Sequence, residues 1–317
     1  MARIVDGLGS DDPAWRRKAG RAVALSVAID AGLARCRLAR PRALVSGFWR
    51  SGTTWLQETL ADALRAKTAF EPLSPMEPRR RAMADATGDE DRLQAAIPPP
   101  GPSAGPLLAL LREAGTGRRS SPFTLSCRKS AAEALRRGVV VKDVRLQANL
   151  PAAHAALGAP VIHLRRHPCG VVASLRAAAW HWSFARVSLP ELAAGLGEGG
   201  EDLAGFDTDE LARTAAFWAL TERCAARGLA GQGWGRLVGY EAMLDDPAGT
   251  VTGLCRWLGR EPRPGTDFGA PSATVHPDVF AAAGRPRDRW RTALSPAEGG
   301  RVEEIADALF PAWREPM

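Results

Sequence analysis

The stretch that decides the fold spans residues 42–55 and runs RALVSGFWRSGTTW. Its first five residues, Arg42 to Ser46, form a mostly apolar run that predicts a buried strand. A loop bounded by Gly47 and Gly52 follows, and Thr53 begins a helix that carries leucines at 56, 60 and 64 on one face. A strand, a glycine loop and a helix in this order present backbone N–H groups and a helix N-terminus to an anion. The sequence therefore predicts a phosphate-binding loop here.

Further apolar strands, each followed by a helix, extend this unit along the chain. Strands are predicted at 138–142, 160–164 and 236–239, with helices after Pro168, over 209–227 and over 247–258. Ser295 and Glu298 have the spacing of a capping box and open the last helix. Strands without alternating polarity are typical of a parallel sheet covered by helices on both faces. We expect an α/β fold of this kind, with a P-loop-like nucleotide-binding architecture, formed by residues 1–317 as one domain.

Two segments differ in composition from this regular pattern. Residues 77–121 contain three consecutive arginines at 79–81, an acidic patch at 85–91 and the run PPPGP at 98–102. Residues 189–207 are rich in glycine. Such stretches are typical of loops rather than core. We expect two flexible insertions that border a substrate site.

The composition narrows the class of ligand. The chain carries 42 basic and 35 acidic residues, a net charge of +7, and only four of the basic residues are lysines. Arginine in such excess, with abundant alanine, glycine and proline, indicates a GC-rich genome, and we expect a bacterial protein. The positive charge fits an anionic ligand. No run of basic residues interleaved with aromatics is present, so we do not expect a nucleic-acid partner.

Cysteine usage and the N-terminal segment bear on the compartment. The five cysteines are widely spaced without a CxxC pair, which argues against a disulfide framework or a zinc site and favours a reducing cytoplasm. Basic residues at 16–18 precede an apolar run at 22–29, but Asp30 interrupts that run too early for a membrane span. We expect a cytoplasmic protein without a transmembrane segment, whose N-terminal helix packs on the domain. Contact of that helix with a membrane and the oligomeric state both stay open.

The loop also indicates which nucleotides it does not suit. Gly47 and Gly52 stand in the G-x-x-x-x-G frame of nucleotide-binding loops. A nucleoside triphosphatase would place a lysine after the second glycine, where this chain has Thr53; the only cation in the loop is Arg50. A nucleotide kinase or NTPase with a degenerate P-loop remains an alternative. A non-catalytic module that binds anions or nucleic acid is another.

The hexapeptide after the strand resembles a known motif. It reads Arg50-Ser51-Gly52-Thr53-Thr54-Trp55 and is similar to the 5′-phosphosulfate loop of the sulfotransferases that use 3′-phosphoadenosine 5′-phosphosulfate (PAPS). The resemblance implies that these six residues bind the donor, and that adenosine 3′,5′-bisphosphate (PAP) is the product.

A second motif resembles the 3′-phosphate site of the same family. Arg166 lies two residues before Pro168, and Ser174 lies six after it. A guanidinium binds phosphate through two hydrogen bonds, and a serine hydroxyl adds another contact. The sequence departs from the family at Cys169-Gly170, and Arg165 could take the arginine's role after a one-residue slip.

Weaker similarity continues towards the C-terminus. The segment Tyr240-Glu241 followed by Asp246-Pro247 resembles one whose tyrosine lies near the adenine. Residues 284–291 resemble the basic loop over the 3′-phosphate. Arg285 and Arg289 are the expected contacts there, although the choice among these and Arg287 stays open.

The resemblance also directs the search for a base. Cytosolic members place a histidine two residues after a strand lysine. Here the residue two positions after Lys142 is Val144, which cannot take a proton. The tyrosylprotein and heparan-type branches use a glutamate downstream of the loop helix, a placement similar to that of Glu71. We expect Glu71 to be the general base, its pKa raised by the anionic donor. Asp143 and Glu77 are the reserves.

The remaining expectations concern charge and the acceptor. Arg50 and Lys142 are expected to contact the transferring sulfuryl group, because Lys142 is a rare lysine at the end of an apolar strand. No metal is required by this scheme. The acceptor is expected to be a hydroxyl of a small molecule, natural product, lipid, glycolipid or carbohydrate. His163 and His181 are available imidazoles whose positions suit packing equally well.

Overall fold

Five strands form one parallel sheet in the order β2-β3-β1-β4-β5. The computed structural model describes residues 3, 5–85, 104–179, 188–198, 203–270, 272 and 287–315. The strands are β1 (Arg40–Gly47), β2 (Ala66–Phe70), β3 (Gly138–Lys142), β4 (Val161–Arg165) and β5 (Gly235–Gly239). The predicted α/β class with a parallel sheet is confirmed.

Helices cover both faces of this sheet. The α-helices of the described residues span Pro13–Arg35, Thr53–Ala63, Pro78–Asp85, Gly105–Gly115, Leu150–Leu157, Pro168–Ala177, Leu189–Gly195, Glu210–Leu229, Tyr240–Asp245, Pro247–Trp257, Trp290–Ala293 and Pro296–Leu309. Shorter 3-10 turns lie at Asp6–Gly9, Ala131–Leu135, Gln147–Asn149, Ala204–Phe206 and Pro311–Arg314. The capping box at Ser295 and Glu298 forms with both of its hydrogen bonds.

Three apolar clusters hold these layers together. Leu56 and Leu60 of the helix after β1 pack with Val251 on one face of the sheet. Leu111 and Val141 belong to the cluster on the opposite face. A third cluster includes residues of helix 210–229. In this cluster the last helix packs against helix 168–177.

The strand order fixes where ligands can bind. β1 lies between β3 and β4, with Val45 level with Lys142 and Gly47 level with Leu164. The chain passes from β1 to one side of the sheet for β2 and β3, and then to the other side for β4 and β5. Ligands of open α/β sheets bind at the carboxyl ends of the strands, beside such a switch point. The loops after β1 and β4 meet there.

The two segments predicted to be flexible insertions contain packed helices. Leu111 of helix 105–115 and Leu189 of helix 189–195 are fully buried in core clusters. The prediction of loose loops is wrong for these stretches, because the spacing of their leucines outweighs their glycines and prolines. The acidic residues 86–91 and the proline run at 98–102 lie outside the described residues.

The N-terminal helix packs on the domain, as predicted, against the 3-10 turn Ala131–Leu135. The fully buried Asp30 accepts Lys67 Nζ at 2.5 Å on one oxygen. Arg128 Nη2 and Ser120 Oγ each donate to its other oxygen at 2.6 Å. This buried ion cluster joins the helix to β2 and to the segment before β3. Within the described ranges, no helix is both long and apolar enough to cross a membrane.

Candidate active site

The loop after β1 is anchored by its aromatic residues. Phe48 and Trp49 are buried, with ring centroids 5.0 Å apart, and both pack on Phe217. At Gly47 a Cβ would lie 2.5 Å from the carbonyl oxygen of Leu164, so only glycine permits this approach of β1 to β4. The loop therefore starts from a rigid base.

Two residues of the loop adopt the left-handed conformation. Gly52 has φ +83°, and a Cβ there would lie 2.6 Å from the Tyr240 ring. Arg50 has φ +63°, unusual for a residue with a side chain. The Arg50 carbonyl oxygen accepts a 2.6 Å hydrogen bond from Arg166 Nη1. The second motif thus stabilises the backbone of the first.

The start of the following helix provides the anion site. The first turn of a helix leaves its N–H groups without intrahelical acceptors, here at Thr53 and Thr54. Ser51 Oγ is buried and has no hydrogen-bond partner among the described residues. A buried hydroxyl without a partner is costly, and a phosphate oxygen would satisfy it. Trp55 is an anchor instead, with its indole buried and donating to the Ala270 carbonyl at 3.1 Å.

Arg166 lies between β4 and helix 168–177, directly beside the loop. Its guanidinium stacks over the Tyr240 ring, 4.5 Å from the centroid. Ser174 Oγ accepts Arg50 Nε at 3.1 Å, so each arginine contacts the other motif. Ser174 lies in the second turn of the helix rather than at its start.

The one-residue slip does not occur. Arg165 Nε bonds to the buried Glu222 at 3.2 Å, and His163 Nε2 lies 3.0 Å from the same carboxylate oxygen. Both residues therefore belong to an ion cluster inside the fold, which leaves Arg166 beside the phosphate loop. His181 lies outside the described residues.

The two arginines make this region electropositive. Burial lowers the pKa of Arg50, and the charge of Arg166 lowers it further. Burial likewise lowers the pKa of Arg166, with a contribution from the charge of Arg289. Cations held this close destabilise one another, and an anion between them would remove that cost. The residues present therefore fit a ligand with anionic groups at both motifs.

The C-terminal motifs contribute mainly as supports. Glu241 accepts the backbone N–H of His167 at 3.0 Å and so fixes the turn that carries Arg166. Arg287 pairs with Asp245 at 2.9 Å. Arg289 is exposed and acts on Arg166 through its charge. Arg285 lies outside the described residues.

Glu71 directly follows β2, at the carboxyl ends of the strands where the loops after β1 and β4 also lie. Its carboxylate is held by two cations. Lys142 Nζ contacts one carboxylate oxygen, and Arg145 Nη1 lies 2.9 Å from the other. Burial by itself would raise the pKa of Glu71, but the charges and hydrogen bonds of Lys142 and Arg145 lower it to about 2. The raised pKa that we expect applies to the site with the donor bound, and it stays a prediction.

Arg145 is the residue that the sequence analysis missed. It lies three positions after the strand lysine, and its guanidinium stands 5.6 Å from the centroid of the Trp49 ring. In a chain with so many arginines, no sequence signal distinguishes it. Its position is fixed by Asp143, which accepts the backbone N–H groups of Arg145 and Leu73 at 3.0 and 2.8 Å.

The two reserve carboxylates are engaged elsewhere. Asp143 is fully buried, and this burial raises its pKa to about 6 against the opposing charge of Arg145. Glu77 accepts the backbone N–H of Arg80 at 3.1 Å. Val144 packs in the core.

A family comparison decides what these motifs belong to. The sequence matches the model of the sulfotransferase family over residues 41–264. The chain belongs to the sulfotransferase family. The match includes both phosphate motifs, Glu71, Lys142 and Tyr240, and it confirms the predicted PAPS-dependent sulfotransferase class over the two alternatives. No curated protein sequence matches the chain significantly.

Solved structures similar to this sulfotransferase include three from different sources. The sulfotransferase domain of the Synechococcus PCC 7002 olefin synthase is 17% identical, with a TM-score of 0.49 over 88% of this chain and 96% of that one. STF1 from Mycobacterium tuberculosis H37Rv is 16% identical, with a TM-score of 0.45 over 94% and 82%. Mouse SULT7A1, complexed with PAP, is 12% identical, with a TM-score of 0.44 over 91% and 90%.

A cluster behind the sulfotransferase's second motif ties it to the last helix. His167 stacks on Trp290 with centroids 4.9 Å apart, and burial lowers its pKa to about 4. The side-chain nitrogen, sulfur and carboxylate oxygen atoms of His167, Cys169 and Glu303 lie within 4.8 Å of one another. Glu303 also pairs with Arg314 at 3.1 Å. The segment that carries Arg166 is thus held in place by its contacts with Trp290 and the last helix.

A cavity of about 400 Å³ adjoins the Glu71 loop. Its lining includes Pro72 and Pro78 after β2, Leu110 and Ala114 of helix 105–115, and Thr124. Arg118, Arg119, Glu77 and Glu113 add charge to its walls. The cavity is of the size that small-molecule sites have.

Proposed function

We propose that this sulfotransferase transfers the sulfuryl group of PAPS to a hydroxyl of a small acceptor, with Glu71 as general base. The observation that carries the proposal is the arrangement of two cationic motifs and one carboxylate at a single sheet edge. Arg50 and Arg166 contact each other's loops, and Glu71 follows the strand beside Lys142.

Each motif has a distinct role in this scheme. The first turn of helix 53–63 and Ser51 bind the 5′ end of the donor, and Arg166 with Ser174 binds the 3′-phosphate. Tyr240 supports Arg166 and Gly52 and adjoins the adenine, and Arg289 with Arg285 adds charge over the 3′-phosphate. Bound PAPS supplies the electrophilic sulfur.

The transfer itself needs three tasks from the chain. Glu71 accepts the proton of the acceptor hydroxyl as the new O–S bond forms. Arg50 and Lys142 stabilise the negative charge that develops on the 5′-phosphate as its bond to sulfur breaks. These basic side chains supply the charge that the reaction needs, so the scheme requires no metal.

The acceptor enters, in this proposal, through the cavity beside Pro72. Its volume suits a molecule of small-metabolite size, and its mixed apolar and charged lining suits an alcohol, phenol or sugar. The absence of a disulfide among the five cysteines supports a reducing compartment, the cytoplasm. We treat residues 1–317 as one sulfotransferase domain.

Donor binding is the direct test. PAP is titrated into the protein by calorimetry, and labelled PAPS is incubated with a panel of hydroxyl acceptors. Arg166→Ala should weaken PAP binding at least tenfold, because a charge-assisted phosphate contact is lost. Arg236→Ala is the matched control. Arg236 lies on β5, and its guanidinium is 5.5 Å from the centroid of the Trp257 ring, away from the loop after β1. No PAP binding at high micromolar concentration would reject the proposal.

A further inference from the structure

Lys142 has one anionic partner in the protein and a second one in the proposed function. In the protein its Nζ contacts the Glu71 carboxylate, and both side chains are largely withdrawn from solvent, at 4% and 13% exposure. The proposed function gives the same lysine a second partner, the sulfuryl end of the donor. An ammonium is a compact charge on a flexible stem, so it can turn from one partner to the other.

We propose that donor binding releases the base: the donor draws Lys142 away from Glu71, and Glu71 becomes able to take the acceptor's proton only when the donor is in place. This inference rests on the proposed function and adds a regulation of the same site. It assigns Lys142 a role in coupling two steps, beyond contact with the sulfuryl group.

Arg145 makes this exchange possible without loss of the carboxylate's position. Its Nη1 holds the other Glu71 oxygen at 2.9 Å, and its own backbone N–H is fixed by the buried Asp143. Arg145 is only 7% exposed and is packed near Trp49, so it has little freedom to follow the donor. We assign Arg145 as the positioning residue that retains Glu71 when Lys142 leaves.

The charges around Glu71 show why the release matters. Lys142 and Arg145 together keep the pKa of Glu71 near 2, where a carboxylate is a weak base. When Lys142 turns to an anion, Glu71 loses one nearby cation and gains a nearby negative charge. Both changes raise its proton affinity.

The step balances as follows. The acceptor oxygen forms a bond to sulfur, the bond between sulfur and the 5′-phosphate oxygen breaks, and its electron pair remains on PAP. The acceptor's proton passes to the Glu71 carboxylate oxygen that Lys142 has left. The acceptor is thus deprotonated only beside a loaded donor.

The test is a double-variant cycle on PAPS affinity, measured without acceptor by calorimetry. Glu71→Gln removes the partner that competes for Lys142, so this variant should bind PAPS about tenfold more tightly than the wild type. In a Lys142→Met background the same change should give a much smaller gain, because only the direct repulsion between Glu71 and the donor is then relieved. In an Arg145→Met background the gain should persist.

The outcomes separate this inference from the proposed function. Wild-type affinity for PAPS in Glu71→Gln, or a gain that is undiminished in the Lys142→Met background, overturns the release mechanism. If Arg145→Met abolishes the gain and Lys142→Met does not, the coupling runs through Arg145 instead of Lys142, and this result also overturns the release mechanism. Failure of every variant and of the wild type to bind PAPS rejects the proposed function instead. Far-UV circular dichroism and a thermal melt establish that each variant is folded.

Discussion

The contact between Gly52 and Tyr240 can be tested by adding a single methyl group. Gly52 has φ +83°, and a Cβ built on it would lie 2.6 and 2.8 Å from two carbons of the Tyr240 ring. An alanine in the left-handed region costs about 1–2 kcal/mol. Forcing a methyl group into an occupied site adds about 1–3 kcal/mol. Gly52→Ala should therefore reduce the free energy of unfolding by about 2–5 kcal/mol.

Gly158→Ala separates these two contributions. Gly158 ends helix 150–157 with φ +61°, and a Cβ there would meet nothing within 4 Å. This control has the conformational cost without the collision. Urea unfolding of both variants should show Gly52→Ala to be less stable by about 1–3 kcal/mol.

The same substitution should also weaken the donor site. The Tyr240 ring that would be displaced supports the Arg166 guanidinium at 4.5 Å, and Arg166 holds the Arg50 carbonyl. We expect PAP affinity to fall about tenfold or more in Gly52→Ala and to stay at the wild-type value in Gly158→Ala. Equal stability and equal PAP affinity in the two variants would refute the interlocking of loop, tyrosine and arginine.

Three further predictions concern stability, pH and the acceptor. Asp30→Asn should lower the free energy of unfolding by about 3–5 kcal/mol, because Lys67 and Arg128 would remain buried without their counter-ion; a loss below 1 kcal/mol in urea unfolding would contradict the role of this cluster. The pKa of Glu71 is lower in the folded protein than the ordinary value of 4.5, so its stabilising contribution is complete above pH 4.5 and is lost as the pH falls towards about 2. Wild-type stability should therefore fall more steeply than that of Glu71→Gln over this range, and parallel curves would contradict the ion pairs. Leu110→Trp should fill the cavity and raise KM for the acceptor while PAP affinity stays unchanged, and an unaltered KM would place the acceptor elsewhere.

The sequence predicted those parts of the structure that depend on neighbours in the chain. The strand, loop and helix over 40–63 follow from an apolar run, two glycines and a helical leucine pattern. The capping box predicted at Ser295 forms, and the helices predicted over 209–227 and 247–258 begin at Glu210 and Pro247. Such features need only a few adjacent residues, so the sequence by itself determined the parallel α/β fold and both phosphate motifs.

Contacts between distant segments decided the rest. Arg145 meets Glu71 across 74 positions, and Arg166 meets Arg50 across 116. Neither spacing leaves a pattern in a chain where arginine is common. The lowered pKa of Glu71 in the protein without donor could not be read from the sequence for the same reason: it depends on two cations that only the folded sheet brings to the carboxylate. The sequence alone thus predicted two motifs for a donor with two anionic groups, whereas the tertiary structure decided how Glu71 is held, because electrostatic interactions depend on distance in space.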